Sequence, residues 1–590
     1  MSKFKWTPLI LLMVLLCLWS VIHKPKLYGD GHEYLMMSIS FVNHLTPNQI
    51  ESDIWDWKAV LDKNNLGKPS SYSGYFEDLK GNWYSYHFWF YSLICAPVFI
   101  FLKLLDINEL KMFQLTNVII MGFAIYNIIK SKINRKSKTW MMVGLINPIW
   151  LYVPWSHPEV FTFSLLLISL VKWVEKKPAL AALFSAIASW QNPGAAIFTA
   201  FISIKAVIEV CSKRRITRSF IFTGLSASLV LFPFVWYWLH YHAFSLIGET
   251  YTGNVSLEKT ASLFLDPNFG MVWYIPVAMI FLGYRLFKRD RKAILAVGLL
   301  LFTALICSVQ LNWNSGSTWI NRYAVWMIPF VIYGTLQASR RWAWGVAIVQ
   351  ACILILCLSY YNYSYTKFTP FAKAVISITP GIYNPPYEVF IERSIGREVN
   401  VQLLNEEKTD EVKEDLPIII ATEDGLRKTL SNELKYFNQG LKFHFSEPVI
   451  LFSKLENADI NKNDMFISFE GFYDLENWST KNVRWMTSDA KVSFLGEKGA
   501  EAQISFLTGS FHVARNVQIY FNGEMVFDGD ISTDQQEVIF RKTLSEFNTI
   551  EIKTDENIPR ISDVPEYKSN DTRRVAFYMM DLSVNELQFH

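Results

Sequence analysis

Charge and cysteine are both scarce in this sequence. Charged side chains make up 18% of the 590 residues, below the roughly 25% of ordinary soluble domains. The net charge is only +3, and no basic stripe with interleaved aromatics is present, which argues against a nucleic-acid-binding protein. The six cysteines lie in apolar stretches, and none follows Cys357. Their spacing excludes a disulfide scaffold and a CxxC metal or redox site.

Apolar and aromatic residues are abundant instead. They account for 51% and 16% of the chain, a composition typical of membrane proteins, whose Trp and Tyr collect at the lipid–water boundary. A spanning helix needs about 20 residues, and strong charges fall between the apolar segments. These segments are Thr7–Ile22, Phe88–Leu105, Met112–Ile129, Trp140–Pro154, Val160–Val174, Ala179–Trp190, Ala195–Val210, Phe220–His240, Met271–Phe287, Ala293–Val309, Tyr323–Ala338 and Ala343–Tyr361.

The basic connectors between these segments predict the topology. Short connectors rich in Lys and Arg stay in the cytoplasm. If Phe88–Leu105 lies in the membrane interface and every other segment spans, all basic connectors fall on the cytoplasmic side. The sequence thus predicts eleven spanning helices, a cytoplasmic N-terminus and an extracytoplasmic region after Tyr361. The basic connectors are 130–138, 172–177, 213–218, 288–292 and 340–341.

The first external loop opens with two acidic residues, Asp30 and Glu33. Their spacing places both carboxyl groups on one side of a helix. The same spacing is close to a capping box, in which Asp30 would cap a helix. Chemistry and capping are equally compatible with the pattern.

Three further polar residues stand at the ends of apolar segments on the external side. His87 lies in an aromatic stretch, where an interfacial belt with one histidine is the simpler interpretation. Glu159 follows Pro158 and suits the start of a helix. Arg322 breaks the positive-inside pattern. Its side chain would either extend to lipid headgroups or bind a phosphate group from a fixed position.

The layout of these residues resembles the GT-C superfamily of membrane glycosyltransferases. In particular, it resembles bacterial members of the protein O-mannosyltransferase and lipid A aminoarabinose transferase branch. Members have a cytoplasmic N-terminus, one spanning helix and an external loop that opens with a catalytic acidic residue. Asp30, four residues before Tyr34, matches that position. The resemblance implies that His87 contacts the donor phosphate and that Glu159 is the second acidic residue.

The resemblance covers about residues 1–396 and includes local motifs. The family's usual acidic residue after the Asp is Gly31 here, and the Arg expected before Tyr34 is Glu33. The motifs are Asp266–Pro276, Trp313–Ser317 with Asn321–Tyr323, and Tyr383–Pro385 with Glu388–Arg393. The expected site has Asp30 and Glu33 as catalytic residues, and its substrate-binding residues are His32, Tyr34, Tyr86, His87, His157, Glu159, Trp313, Arg322 and Tyr323.

The C-terminal region has a different composition. Residues 1–361 are expected to form the membrane domain, 362–463 an extracytoplasmic linker and small mixed region, and 464–590 a jelly-roll-like β-sandwich, carbohydrate-binding in one interpretation. Asn522-Gly523 predicts a type I′ hairpin turn. Trp478 and Trp485 fit core packing better than sugar stacking, which is the alternative.

The expected function is transfer of a sugar from a polyprenyl-phosphate donor to a lipid, glycan or protein acceptor at the outer face of the bacterial inner membrane. Asp30 would be the general base of this reaction. Membrane lipids would surround the spanning helices. The sequence identifies no cofactor; His32, His157 and Glu159 would either position the acceptor or hold a divalent cation. A transporter or flippase of a lipid-linked glycan would instead carry ionisable residues within its spans. A non-catalytic glycan-binding scaffold would not need Asp30.

Overall fold

A computed structural model of the chain forms two compact units, Met1–Tyr365 and Thr366–His590. Each unit is described by itself. The described residues are 7–66, 74–250, 255–310, 312–336, 340–378, 385–386, 389, 392–393, 418–422, 427–430, 449–451, 458–459, 468–478, 481–495, 499–545, 547–554, 558–567, 571 and 573–586.

The first unit is helical apart from one short antiparallel strand pair, β1 (Tyr75–Glu77) and β2 (Trp83–Ser85). Its helices are α1 (Thr7–Ile22), α2 (Gly31–His44), α3 (Glu51–Lys63), α4 (Phe90–Leu104), α5 (Lys111–Lys130), α6 (Arg135–Gly144), α7 (Glu159–Val174), α8 (Pro178–Ser189), α9 (Ala196–Lys213), α10 (Arg218–Ser228), α11 (Phe232–Tyr241), α12 (Leu246–Thr250), α13 (Leu257–Leu265), α14 (Met271–Tyr274), α15 (Pro276–Phe287), α16 (Arg291–Cys307), α17 (Arg322–Gly334) and α18 (Arg340–Ser359).

Among the described residues, three helical stretches are long and apolar enough to cross a membrane. The last of them joins α10 and α11 through a short 3-10 turn. Its apolar side chains are largely exposed, for example Leu225 and Leu239. Such a surface suits contact with lipid. The three stretches are Lys111–Lys130, Pro193–Lys213 and Arg218–Tyr241.

Two apolar segments predicted as single helices are interrupted. The predicted Trp140–Pro154 helix ends at Gly144, and Pro148–Tyr152 forms a separate 3-10 turn. The Asn147 side chain accepts a hydrogen bond from the Ile149 amide and so caps this turn. The predicted Met271–Phe287 helix is likewise divided before Pro276, because proline cannot supply the amide that a continuous helix requires.

Two helices form the buried centre of the first unit. Described side chains of α7 are buried from Glu159 to Val171, and those of α17 from Tyr323 to Gly334. The two helices pack against each other. Glu159 and Arg322, the first residues of α7 and α17, lie at the same end of the bundle, where both line one cavity.

The second unit contains helix α19 (Pro370–Ile378) and antiparallel β-structure. A small sheet has the order β4-β3-β5, and a nine-stranded sheet has the order β11-β10-β13-β8-β14-β9-β12, with β7 on β8 and β6 on β14. The strands are β3 (Ile418–Thr422), β4 (Arg427–Leu430), β5 (Val449–Leu451), β6 (Ala458–Asp459), β7 (Ser468–Trp478), β8 (Lys481–Leu495), β9 (Glu501–Ser510), β10 (Arg515–Phe521), β11 (Glu524–Ile531), β12 (Gln536–Thr543), β13 (Phe547–Thr554) and β14 (Phe577–Glu586).

The large sheet follows the predicted alternation. Asn522 and Gly523, with φ of 51° and 82°, join β10 to β11 and confirm the predicted hairpin. Trp485 is buried and packs edge-on against Phe511 and Tyr578, which favours the core interpretation over sugar stacking. The side chain of Trp478, the motif residues 383–384 and most of the predicted linker 362–463 lie outside the described residues.

Candidate functional site

The loop that carries Asp30 is held by Lys26. The Lys26 amide donates to the carbonyl of Pro154 at 2.9 Å, and Lys26 and Trp155 form a parallel bridge. The Lys26 ammonium donates to the carbonyl of Tyr361 at 3.0 Å and lies 3.8 Å from the centre of the Tyr361 ring. Burial lowers the pKa of Lys26 to about 8. The start of α2 is thus tied to the α6–α7 connector and to the chain after α18.

Asp30 immediately precedes α2, but its side chain makes no capping hydrogen bond, so the capping-box interpretation is wrong. Its carboxylate instead lies near an imidazole, a guanidinium and a phenol hydroxyl. The Asp30 Oδ2 atom lies 3.2 Å from His87 Nε2 and 3.8 Å from Arg322 Nη1, and the Tyr86 hydroxyl donates to Oδ1 at 3.4 Å. Burial acts to raise the pKa of Asp30, but the neighbouring imidazoles and Arg322 outweigh it and hold that pKa well below its usual range.

Gly31 explains why this chain lacks an acidic residue directly after Asp30. A Cβ atom at position 31 would lie 2.0 Å from Ser156 Oγ and 3.1 Å from a methyl group of Leu27. A side chain at position 31 would force Ser156 or α2 to shift. The close approach of α2 to the α6–α7 connector therefore depends on glycine.

His87 links the two acidic residues of the first loop. Its ring is stacked on that of Tyr34 and adjoins that of Tyr86, with centroids 5.1 and 4.3 Å away. His87 Nε2 lies 3.4 Å from Glu33 Oε2 as well as beside Asp30. Burial, followed by the negative charge of Asp30, raises the pKa of Glu33 well above its usual range. Asp30 therefore ionises more readily than Glu33.

Arg322 is oriented by its own helix start. The Asn321 side chain caps α17 by accepting from the Tyr323 amide. One guanidinium nitrogen of Arg322 donates to the Asn312 carbonyl at 3.2 Å and to the Tyr323 hydroxyl at 3.0 Å. The other faces Asp30. This geometry fixes the cation beside the carboxylate, which differs from an Arg that snorkels freely to headgroups.

His157 and Glu159 occupy the start of α7 and are both buried. His157 Nε2 donates to the Tyr28 carbonyl at 3.1 Å, and burial lowers the pKa of His157 to about 4, so the ring is neutral at pH 7. Burial raises the pKa of Glu159 to about 7, against the opposing charge of Arg322. Glu159 Oε2 has no hydrogen-bond partner among the described residues. Such a group is unusual in a folded protein, and at the wall of a cavity it is open to a hydrogen bond from water or a ligand.

These residues meet at a cavity of about 380 Å³, a volume within the usual range of ligand pockets. Three predicted residues do not line it. The Glu33 carboxyl group contacts His87 instead of the cavity. His32 packs against Trp57, and Trp313 is fully buried against Phe269. The predicted residues that line it are Asp30, Tyr34, Tyr86, His87, His157, Glu159, Arg322 and Tyr323.

The cavity also has lining residues that were not predicted. Asn192, Gln310 and Asn312 contribute polar groups, while Trp190 and Trp326 contribute aromatic surface. Asn192 and Gln310 fall in connectors that the sequence placed on the same side as Asp30. Their polar side chains next to apolar segments could have identified them as candidates. A single amide, however, has no sequence spacing that distinguishes a binding residue from any other.

A divalent cation would fit one part of the site. Asp30, Glu33 and His87 each offer a ligand atom, and these atoms lie within 4.8 Å of one another. Carboxylate and imidazole suit several divalent metals. The set differs from the predicted one, since His32 is turned away and His157 donates through Nε2 to Tyr28. A bound cation would supply positive charge, which favours the ionised form of Glu33.

Comparison with protein-family models and with curated proteins gives no match. Solved carbohydrate-binding modules resemble part of the chain. A structure titled "CBM4 structure and function" is 12% identical, covers 20% of this chain and 77% of that one, and has a TM-score of 0.14. A family 35 module from Clostridium thermocellum is 13% identical over 22% of this chain and 100% of its own, with a TM-score of 0.16. Similarities of this size carry no conclusion about fold or ligand.

Proposed function

We propose that this chain is a membrane glycosyltransferase that moves a sugar from a polyprenyl-phosphate donor to an acceptor on the extracytoplasmic face. The observation that carries the proposal is the approach of Arg322 to Asp30 at 3.8 Å, across most of the first unit's sequence. A base and a fixed cation in one cavity are the two groups that this reaction needs. The order of the sequence motifs supports the same assignment.

In the proposed reaction, Asp30 accepts the proton of an acceptor hydroxyl while that oxygen attacks the anomeric carbon of the sugar. A bond forms between these two atoms, and the bond from the anomeric carbon to the phosphate oxygen breaks. The electron pair stays on the polyprenyl phosphate, which leaves. Arg322 and His87 stabilise the charge that develops on it, because preorganised donors are often the largest single catalytic contribution.

The low pKa of Asp30 makes it a weak base while Arg322 and His87 face it alone. A bound donor phosphate neutralises part of the positive charge of Arg322, which raises the pKa of Asp30 toward its ordinary value. The base would thus become stronger only when the donor is present. This coupling would limit unproductive proton transfer in the empty cavity.

The proposal includes the finer architecture predicted from the sequence. The first unit would be a GT-C-like domain with eleven spans in a bacterial inner membrane, its N-terminus in the cytoplasm. The β-structure of the second unit would be an extracytoplasmic jelly-roll-like sandwich. The three apolar helical stretches support a membrane location.

The decisive experiment is an assay of the purified full chain with candidate polyprenyl-phosphate sugars, scoring release of the lipid phosphate. We expect Asp30→Asn to lower turnover by about 10²- to 10⁴-fold, the range for loss of a general base, with an unchanged unfolding temperature. A transporter would instead move lipid-linked sugar between vesicle leaflets without releasing lipid phosphate.

Asp53→Asn is the matched control. Asp53 is a fully buried carboxylate that accepts hydrogen bonds from Ser40, Asn43 and the Ile50 amide, and it does not line the cavity. We expect this variant to be less stable but to keep its turnover per folded molecule. Near-normal turnover of Asp30→Asn would reject the proposal.

A further inference from the structure

A second cavity lies at the opposite end of α7 and α17 from Asp30. It has a volume of about 630 Å³, and Trp173, Val174 and Tyr333 line it where these two helices end. α7 has 16 residues and is therefore about 24 Å long. That length approaches the roughly 30 Å thickness of a bilayer's hydrocarbon core, so the two cavities stand near opposite membrane faces.

The lining of this second cavity is strongly cationic. Lys176, Lys205 and Arg215 line it, and none of them lies within 4 Å of a carboxylate oxygen among the residues that the structure describes. Lys205 is held over the Trp173 ring at 5.0 Å. Lys213 and Lys292 add further positive charge, and Glu209, which also lines the cavity, pairs with Lys213.

Part of the remaining wall is apolar and continues onto exposed helix surfaces. Ile202, Ala206, Val210 and Phe220 line the cavity beside the cations. Outside it, α9 and α10 expose apolar side chains, and both helices belong to stretches apolar enough to cross a membrane. A ligand that matches this surface has an anionic head and an apolar tail. The exposed side chains are Ile204, Val207, Ile208, Ile221 and Phe222.

We propose that this cavity binds the phosphate headgroup of an anionic phospholipid, with Lys205 and Arg215 as phosphate partners and the acyl chains along α9 and α10. Basic pockets between membrane helices bind anionic headgroups through such contacts. The lipid would fill the gap between the ends of α7, α9 and α10. The site is separate from the Asp30 cavity and does not depend on the proposed transfer reaction.

The test uses the purified full chain in vesicles of phosphatidylcholine with a minority of phosphatidylglycerol. The chain is then extracted into mild detergent, and the lipid retained per protein is measured by native mass spectrometry. Wild type is expected to retain phosphatidylglycerol in preference to phosphatidylcholine, and less of it at high salt. The double variant Lys205→Gln, Arg215→Gln is expected to lose this preference by on the order of tenfold or more.

The matched control is Arg135→Gln with Lys136→Gln. It also removes one Arg and one Lys from a basic connector, but both residues are exposed and lie outside the cavity. We expect the control to retain phosphatidylglycerol like wild type. Equal losses in both variants would overturn the proposed site.

A second arm separates lipid from free phosphate and needs no variant. Inorganic phosphate is titrated against the wild type and against its retained phosphatidylglycerol. Preferential retention that millimolar phosphate does not abolish supports the lipid. Saturable phosphate binding without any enrichment of phosphatidylglycerol over phosphatidylcholine would overturn the lipid assignment.

Discussion

The helical unit and the β-unit differ in which side chains they bury. In β10 buried and less buried side chains alternate, and the apolar ones join a continuous core that includes Val517 and Ile519. In the helical unit Asp30, Glu33, His157 and Glu159 come together at one end. Each is surrounded by groups that shift its pKa. The alternation of apolar and polar residues accounts for burial in the β-unit. The helical unit also buries polar groups that folding alone does not require.

This difference bears on the stability of the helical unit. Buried polar groups are normally satisfied, so an unpartnered Glu159 Oε2 next to a cavity costs stability unless a ligand repays it. Side chains of the β-core contribute mainly by packing. Variants in the β-core should therefore change the free energy of unfolding, and variants at the cavity should change the proposed activity.

The largest expected effect is on stability in the β-unit. Trp485→Ala removes an aromatic ring that packs edge-on against Phe511 and Tyr578 and should destabilise the β-unit by about 3–5 kcal/mol. Thermal unfolding of the full chain measures this loss, and turnover per folded molecule should not change. Trp485→Phe should cost less. A loss of glycan binding at unchanged stability would contradict the core assignment.

Arg322→Gln tests the cation in the helical unit. Removal of one preorganised donor of this kind costs about 10²- to 10³-fold in turnover. Arg322→Lys should recover only part of the rate, because an ammonium cannot hold Asn312 and Tyr323 while also facing Asp30. The measurement is lipid phosphate release at saturating donor. A fully active Arg322→Gln variant would mean that Arg322 serves structure alone.

Glu159→Gln should change stability in a pH-dependent way. Folding raises the pKa of Glu159 from 4.5 to about 7, so the folded protein loses stability as pH rises from 4.5 to 7 and stays at that lower level above it. The shift corresponds to roughly 3 kcal/mol. Gln cannot ionise, so the variant's unfolding temperature relative to wild type should be higher at pH 8 than at pH 5. A pH-independent difference would contradict the raised pKa.

Gly31→Ala should have the smallest effect of the four. The added methyl group meets Ser156 Oγ, and overpacking of this kind costs about 1–3 kcal/mol. Combining it with Ser156→Gly removes the clashing side chain and should restore part of the stability. Unfolding temperatures of the two single variants and the double variant measure this coupling. Strictly additive effects would show that the two positions do not contact each other.

Much of the fold could be predicted from sequence patterns. Apolar length predicted α5 as one helix, and the Asn-Gly turn predicted the β10–β11 hairpin. The interruption at Asn147-Pro148 was missed because a hydrophobicity window averages over one cap and one proline. The number of membrane spans is still a prediction.

The site was only partly predictable. Charge asymmetry between connectors placed Asp30, Glu159 and Arg322 on one side before any geometry was known. Sequence spacing could not show that the Asp30 side chain makes no capping hydrogen bond, or that Gly31 lies directly against Ser156. It also could not separate Trp313, a packing residue, from neighbours that line the cavity. Such distinctions depend on contacts between residues far apart in the chain.

The bond from Lys26 to Tyr361 has a consequence for biosynthesis. Its partners are 335 residues apart, and a ribosome adds about 5–20 residues per second. Roughly 20 s to 1 min therefore pass between translation of the first partner and translation of the second. During that interval the Asp30 loop lacks one of its anchors, so a nascent chain halted before α18 should hold the Asp30 carboxylate less firmly beside Arg322.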